Sequence, residues 1–334
     1  MSHLSMAFRR LSVCLILNLL LLTSVSAREI QQHEPEYVSP TSRSVLFRHL
    51  DLGVSVGTTG LGINFASGIT ENIRVRAGFD FIPRFTVPLS FSLQSYTDGG
   101  VHSGNFATMQ NYMKRLTGID VDDRVEMDGK PLMYNFKLIF DVYPWADKGW
   151  RFSAGMYIGS KKVAKSLNTM GEMPSLLAVN IYNHFYDYFM ETDFYETPIY
   201  GDFYLDPFLV EDVRADLEEN GHMGIHIGDF KDGKPYMMQP DKDGMVKASA
   251  YANVFRPYVG LGYTGPLTKN KRLNFDVDCG MMMWGGSPSI VTHDGVDLTS
   301  EVVNIKGKPG DYVDFFKGIK VYPVLTFTLS YRLF

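Results

Sequence analysis

Charged side chains stand two or four positions apart in several otherwise apolar stretches of this 334-residue chain. Successive side chains of a β-strand point to opposite sides, so charges at this spacing share one face of a strand. Arginine, lysine and aspartate gathered on one face can form ion pairs, line a pore or act as catalytic acids and bases. The set comprises Arg74, Arg76, Asp80, Lys137, Asp141, Arg151, Asp276 and Asp278.

The strands that position these charges are clearest at the C-terminus, from Ile319 to Phe334. From Leu325 onward, apolar and polar residues alternate, which gives one apolar and one polar face. The stretch is long enough to cross a bilayer, which takes about 9–11 tilted residues. Similar alternation predicts further strands near residues 47–57, 61–66, 73–81, 132–143, 149–160, 250–265 and 272–284.

The connections between these strands are of two kinds. Short turns are predicted at 67–72, 144–148 and 266–271, and long connections at 85–130, 161–249 and 285–318. Short turns at one end and long loops at the other are typical of outer-membrane barrels. We therefore predict an all-β fold, a transmembrane antiparallel β-barrel over residues 47–334. It has eight strands, or ten to twelve if hairpins of the loops join it, and its extracellular loops are partly helical.

The N-terminus has the features of a secretory signal peptide. Arg9 and Arg10 precede an apolar run, and Val25-Ser26-Ala27 supplies small residues for cleavage. We predict a signal peptide over residues 1–27, cleaved after Ala27, and a periplasmic leader over residues 28–46.

Composition excludes several classes of protein. The formal charge of −5 becomes −7 when a leader with two arginines and no acidic residue is removed, which argues against nucleic-acid binding. Cys279 is then the one remaining cysteine, so neither an intramolecular disulfide nor a zinc site with two cysteines can form. After residue 27 no apolar run is long enough for a membrane helix, so membrane insertion would require a closed barrel.

Four stretches extend the likeness beyond the C-terminal strand. They read G-T-T-G-L-G-I-N-F (57–65), I-R-V-R-A-G-F-D-F (73–81), L-I-F-D-V-Y-P-W (138–145) and W-R-F-S-A-G-M-Y (150–157). Together with the terminal strand, they resemble the small outer-membrane β-barrel proteins of Gram-negative bacteria. The resemblance implies a location in the cell outer membrane, contact with its lipid and lipopolysaccharide, and insertion by the barrel-assembly machinery. It implies no particular activity, because such barrels serve as anchors, adhesins, pores and occasionally enzymes.

Inside an eight-stranded barrel, there is room for side chains and little else. Opposite charges in that space should pair, because an unpaired buried charge is costly. We interpret the charged set as a salt-bridged network that fills the lumen. The alternatives are the lining of a narrow pore and an active site.

The longest connection carries a second candidate site. Residues 175–190 predict an apolar helix, and aromatic side chains are favoured at interfaces. The candidate contact surface for an extracellular ligand or protein consists of Tyr182, Phe185, Tyr186 and Tyr188. His222 and His226 lack a third ligand nearby and are flanked by glycines, so we predict neither a metal site nor a cofactor.

These observations favour a structural or interaction scaffold that displays large extracellular loops, without catalysis. The first alternative is a narrow pore or small-solute channel. The second is a barrel enzyme acting on lipid or peptide, although no nucleophile motif such as G-x-S-x-G is present.

Overall fold

The computed structural model describes residues 49–97, 100–102, 106–145, 149–305, 307–318 and 320–334. The predicted signal peptide and leader lie outside these residues. In chain order the strands are β1 Asp51–Gly57, β2 Gly60–Gly68, β3 Ile73–Phe81, β4 Val87–Thr97, β5 Gly100–His102, β6 Arg124–Pro131, β7 Tyr134–Val142, β8 Trp150–Gly159, β9 Lys162–Asn168, β10 His222–Phe230, β11 Pro235–Met238, β12 Lys247–Tyr251, β13 Phe255–Pro266, β14 Leu273–Met283, β15 Ser289–Thr292, β16 Val302–Val303 and β17 Val321–Arg332. The α-helices are α1 Phe106–Thr117, α2 Met173–Glu191, α3 Pro207–Asn220 and α4 Gly307–Gly318, and a 3₁₀ turn spans Met170–Glu172.

Eight of these strands form a closed antiparallel barrel, in the order β1-β17-β14-β13-β8-β7-β3-β2. The last strand pairs with the first, Val54 opposite Leu329, so the barrel has no free edge. This confirms the predicted fold class and the count of eight. The strand predicted over residues 250–265 is shorter in the structure: β13 begins at Phe255, and Ala250 and Tyr251 belong to the separate strand β12.

Alternation along each barrel strand separates two faces. In β17, Thr326, Thr328 and Ser330 are buried inside, while Leu329 and Tyr331 are 45% and 46% exposed outside. The other strands follow the same rule, and their outward side chains form an apolar belt that includes Val54, Ile63, Phe79, Phe136, Phe152 and Leu261. An apolar belt around a polar interior is the arrangement that a bilayer requires.

The connections differ at the two ends of the barrel. At one end, short links join β2 to β3, β7 to β8 and β13 to β14. At the other end lies what we call the cap, which consists of the described residues within 82–133, 160–254 and 284–320. The exception at this end is the β1–β2 hairpin, which turns through Thr58 and Thr59 into Gly60. Gly60 has a φ of +100°, and a Cβ there would lie 2.1 Å from the carbonyl oxygen of Phe81.

The cap is a second sheet assembled from all three long segments. Its strand order is β11-β10-β4-β6-β9-β12-β15, with β16 beside β10 and β5 beside β4. The partly helical insertion of residues 161–249 is therefore one part of a jointly built cap. Its helices α2 and α3 each have a proline in the first turn. The Asp206 side chain accepts hydrogen bonds from the backbone N–H groups of Phe208 and Leu209 at the start of α3.

The apolar belt yields a prediction about stability in a bilayer. Leu261 lies midway along β13 and is 51% exposed on the outer face. The variant Leu261→Arg should lower the free energy of unfolding in phospholipid vesicles by about 2–4 kcal/mol, because a charge would enter the hydrocarbon layer. The measurement is urea unfolding followed by tryptophan fluorescence.

Met170 in the cap provides the matched control, since it is 77% exposed and apolar but lies outside the barrel. Met170→Arg should change the free energy of unfolding by less than about 0.5 kcal/mol. Equal losses for the two variants would contradict the membrane-facing belt.

Candidate functional site

The structure places all eight predicted charged residues inside the barrel. Their exposed fractions range from 0% for Asp141 to 8% for Arg74. They occupy inward positions of β3, β7, β8 and β14, because each strand alternates in phase with its neighbours. From the short turns toward the cap, they form three layers of contacts.

The middle layer centres on Arg76. Its Nη1 lies 2.7 Å from Asp278 Oδ2, and its Nε lies 2.6 Å from Asp141 Oδ2. Arg151 Nη2 donates a hydrogen bond of 2.9 Å to Asp278, and Ser153 Oγ donates one of 2.7 Å to Asp141. Two guanidinium groups and two carboxylates thus neutralise one another across the lumen.

The layer nearest the short turns joins Arg74 and Arg151 to Asp276, with Nη1–Oδ1 distances of 2.9 and 3.0 Å. It also contains two residues that sequence analysis missed, Asp51 and Arg332. Asp51 lies 3.7 Å from Arg74 Nη2 and 3.2 Å from Arg332 Nε. The sequence did indicate Asp51, because it alternates along β1 with the apolar residues and so shares the inward face with Gly53 and Ser55.

The layer nearest the cap is simpler. Lys137 Nζ donates to both carboxylate oxygens of Asp80, at 2.8 and 3.0 Å. Thr59 Oγ1 donates to Asp80 Oδ2 at 3.0 Å. This pair sits just below the β1–β2 turn and links that hairpin to β3 and β7.

The network is balanced and closely packed. Among the residues that the structure describes, five cations (Arg74, Arg76, Lys137, Arg151, Arg332) contact five carboxylates (Asp51, Asp80, Asp141, Asp276, Asp278). A cavity beside Arg74 and Asp276 measures about 10 Å³, about the space of one water molecule.

Above the ion pairs, an apolar cluster fills the cap end of the barrel. It includes Tyr157, Tyr258 and Met282, all at most 2% exposed, and the rings of Tyr157 and Tyr258 meet edge to face at 5.5 Å. Arg256 lies at its border and is fully buried. Its guanidinium donates hydrogen bonds to Asn135 Oδ1 and to the carbonyl oxygens of Ser160 and Asn253, at 2.5–2.7 Å.

The aromatic contact surface predicted on α2 requires a correction. Tyr182 is fully buried in the cap core, and its hydroxyl donates a hydrogen bond of 2.9 Å to the carbonyl oxygen of Gly221. Burial, with a smaller effect of Tyr112, raises the pKa of the Tyr182 phenol. Tyr182 therefore positions α2 on the cap sheet and cannot contact a partner.

The other three aromatic residues of that surface divide by position on the helix. Phe185 and Tyr186 are half-buried against the cap core, and Tyr188 is 50% exposed. Sequence analysis missed a more exposed aromatic segment that follows α2 and extends into the first turn of α3, where Tyr200 and Phe208 are 86% and 82% exposed. The sequence could have indicated this segment, because its aromatic residues are interspersed with Pro198 and Gly201 and lack the periodicity of a helix that packs on a core.

His222 and His226 lie on strand β10, where a separation of four residues spans about 13 Å, too far for one metal ion. The ring of His222 instead contacts Tyr186, with centroids 4.0 Å apart, and its Nε2 lies 2.6 Å from Asp187 Oδ1. The arrangement is a histidine–aspartate contact beside a tilted aromatic ring.

The class of protein is therefore a closed eight-stranded antiparallel barrel with an ion-paired interior and a mixed α/β cap. No protein-family model and no curated protein matches the chain. In the described parts of the chain, no helix combines the length and apolar character needed to cross a membrane.

Solved structures similar to the chain include CarO2 and CarO of Acinetobacter baumannii and a major outer membrane protein of Thermus thermophilus. CarO2 is 12% identical over 86% of this chain and 99% of its own, with a TM-score of 0.34. CarO and the Thermus protein are each 11% identical over 85% of this chain and 97% of theirs, with TM-scores of 0.34 and 0.28. TM-scores this low carry no argument, and the description of the chain as a closed eight-stranded barrel rests on its own strand pairing.

The Lys137–Asp80 pair allows a test of the buried network. Lys137→Met should lower the free energy of unfolding by about 3–5 kcal/mol, because it leaves a buried carboxylate without its cation. Adding Asp80→Asn should recover part of this loss. Denaturant unfolding of the two single variants and the double variant gives the coupling energy.

The exposed pair Lys114–Asp120 in the cap is the control. Its Nζ–Oδ1 distance is 2.7 Å, but the side chains are 56% and 68% exposed. Lys114→Met should cost less than about 1 kcal/mol. Additive effects of the Lys137 and Asp80 substitutions would show that the two groups do not interact.

Proposed function

We propose that the protein is an outer-membrane anchor that holds its cap on the cell surface as an interaction scaffold. The observation that carries this proposal is the neutral, closely packed set of ion pairs inside the barrel. The ion pair between Arg76 and Asp278 reaches across the lumen, and the apolar cluster around Tyr157 and Tyr258 lies at the cap end. The barrel thus serves membrane attachment, and recognition belongs to the cap.

The proposed orientation follows from the asymmetry of the connections. Short links face the periplasm and long loops face outward in outer-membrane barrels. The apolar belt would contact membrane lipid, with lipopolysaccharide around its outer edge, and assembly machinery would insert the chain.

The proposed partner is an extracellular ligand or protein that contacts the cap. Support comes from the exposed aromatic side chains of the α2–α3 connection and the first turn of α3, including Tyr200, Phe203 and Phe208. Aromatic residues contribute strongly to binding at interfaces. The two alternatives, a narrow pore and a barrel enzyme, have no comparable support in the described contacts, because the buried carboxylates inside the barrel pair with cations.

Labelling of intact cells tests this orientation. In a Cys279→Ser background, Lys242→Cys places a thiol on the cap, and Lys269→Cys places one in the short turn between β13 and β14. Both lysines are exposed. A membrane-impermeant maleimide should label the first variant on intact Gram-negative cells and the second only after the outer membrane is permeabilised.

The two lysine-to-cysteine changes are chemically identical, so each serves as the control for the other. Labelling of the short-turn variant alone on intact cells would reverse the proposed orientation. Labelling of neither variant on intact cells would exclude display at the cell surface.

A further inference from the structure

The cap contains a cavity of about 450 Å³, within the size range of small-molecule sites. Its walls are mostly apolar side chains from the cap sheet and from α4, including Leu89, Phe91, Ile290, Tyr312 and Phe316, with Lys130 and Lys165 also among the lining residues. A mostly apolar space of this size can accept a hydrocarbon chain.

The fold creates the cavity by laying α4 across the sheet. The helix contacts both β4 and β15, and β6, β9 and β12 lie between them. Four strand spacings span about 19 Å, and a 12-residue helix is about 18 Å long, so the helix reaches from one side to the other.

The three strands beneath the helix carry small residues on their inner faces. One cross-strand row consists of Gly129, Ser166 and Ala248, and the next row contains Ala164 and Ala250. Larger residues flank these rows, with Val87 on β4 and Ile290 on β15. Small side chains under a bridging helix leave the space unfilled.

The cavity opens near the rim of the barrel. Phe85 and Phe315, which are 55% and 59% exposed, line it. Phe85 follows β3 by four residues, and Phe315 precedes β17 by six. Between β3 and β17 in the barrel wall stand only β2 and β1, which are joined by a two-residue turn. On the side of the barrel where these aromatic residues lie, the only connection at the cap end within the described residues is therefore this short turn.

We propose that the cavity binds an acyl chain of a lipid from the surrounding membrane, entering above the β1–β2 hairpin. The apolar lining matches the chain, and the position at the barrel rim matches the level at which lipid chains meet headgroups. This inference rests on the proposed membrane location. It gives the scaffold a specific ligand class, a membrane amphiphile held under α4.

Photocrosslinking tests the proposal with the full-length mature protein in phosphatidylcholine vesicles that contain a phospholipid with a diazirine on its acyl chain. After irradiation, mass spectrometry maps the modified residues. Adducts are expected on Leu89 and Ile290, which lie on opposite sides of the cavity, as well as on the outer belt at Leu261. Belt adducts report membrane insertion, and cavity adducts report the proposed site.

Ala248→Phe places a large side chain in the row of small residues beneath α4. It should reduce cavity adducts by about tenfold or more, equivalent to about 1.4 kcal/mol of binding free energy. Belt adducts should persist. Ala215→Phe is the matched control, because Ala215 is exposed on α3. It should leave both sets of adducts unchanged.

Belt adducts without cavity adducts in the wild type would overturn the lipid site and leave the anchor intact. Absence of both would overturn the membrane location itself. A parallel sample receives a diazirine-bearing free fatty acid in unlabelled vesicles. Cavity labelling by the free acid alone would overturn the membrane lipid as the source of the chain.

Discussion

Charges buried inside the barrel must be compensated, by an opposite charge or, for Arg256, by hydrogen-bond acceptors, and this constraint governs the rest of the structure. Arg76 on β3 contacts Asp141 on β7 and, across the lumen, Asp278 on β14. A slip of one residue in any of these strands would turn its charge toward the lipid face, so the network fixes the register of the barrel. Because these side chains pair with one another, the proposed scaffold role assigns stability to the barrel interior and recognition to the segments beyond the barrel rim.

The barrel in turn organises the cap. Its strand order brings the three long segments together above one end, and strands from different segments then pair, as β4 does with β10 and β6 does with β9. Each segment supplies only part of the cap sheet. The cap core, the bridging helix α4 and the cavity therefore depend on the barrel being closed.

The barrel could be predicted from sequence because its signal is local. Alternation within each strand fixes which side chains face inward, and the eight charged residues follow from that phase. The cap sheet could not be predicted, since its pairs join distant residues such as Lys130 and Lys165 or Leu93 and Ile225. Tyr182 shows the same limit, because an apolar helix gives no indication of which side packs on a sheet. The cavity depends on small residues from separate loops lying in one row, which no local pattern reveals.

Conductance in a planar lipid bilayer tests the central claim, a lumen closed by its own ion pairs. The mature protein would be refolded, shown to be folded by heat-modifiable migration on gels, and added to the bilayer. The closed lumen predicts a silent baseline, without stable single-channel steps. Reproducible steps of uniform size, with an ion selectivity that changes on substitution of Arg76 or Asp278, would show an open pathway and contradict the account.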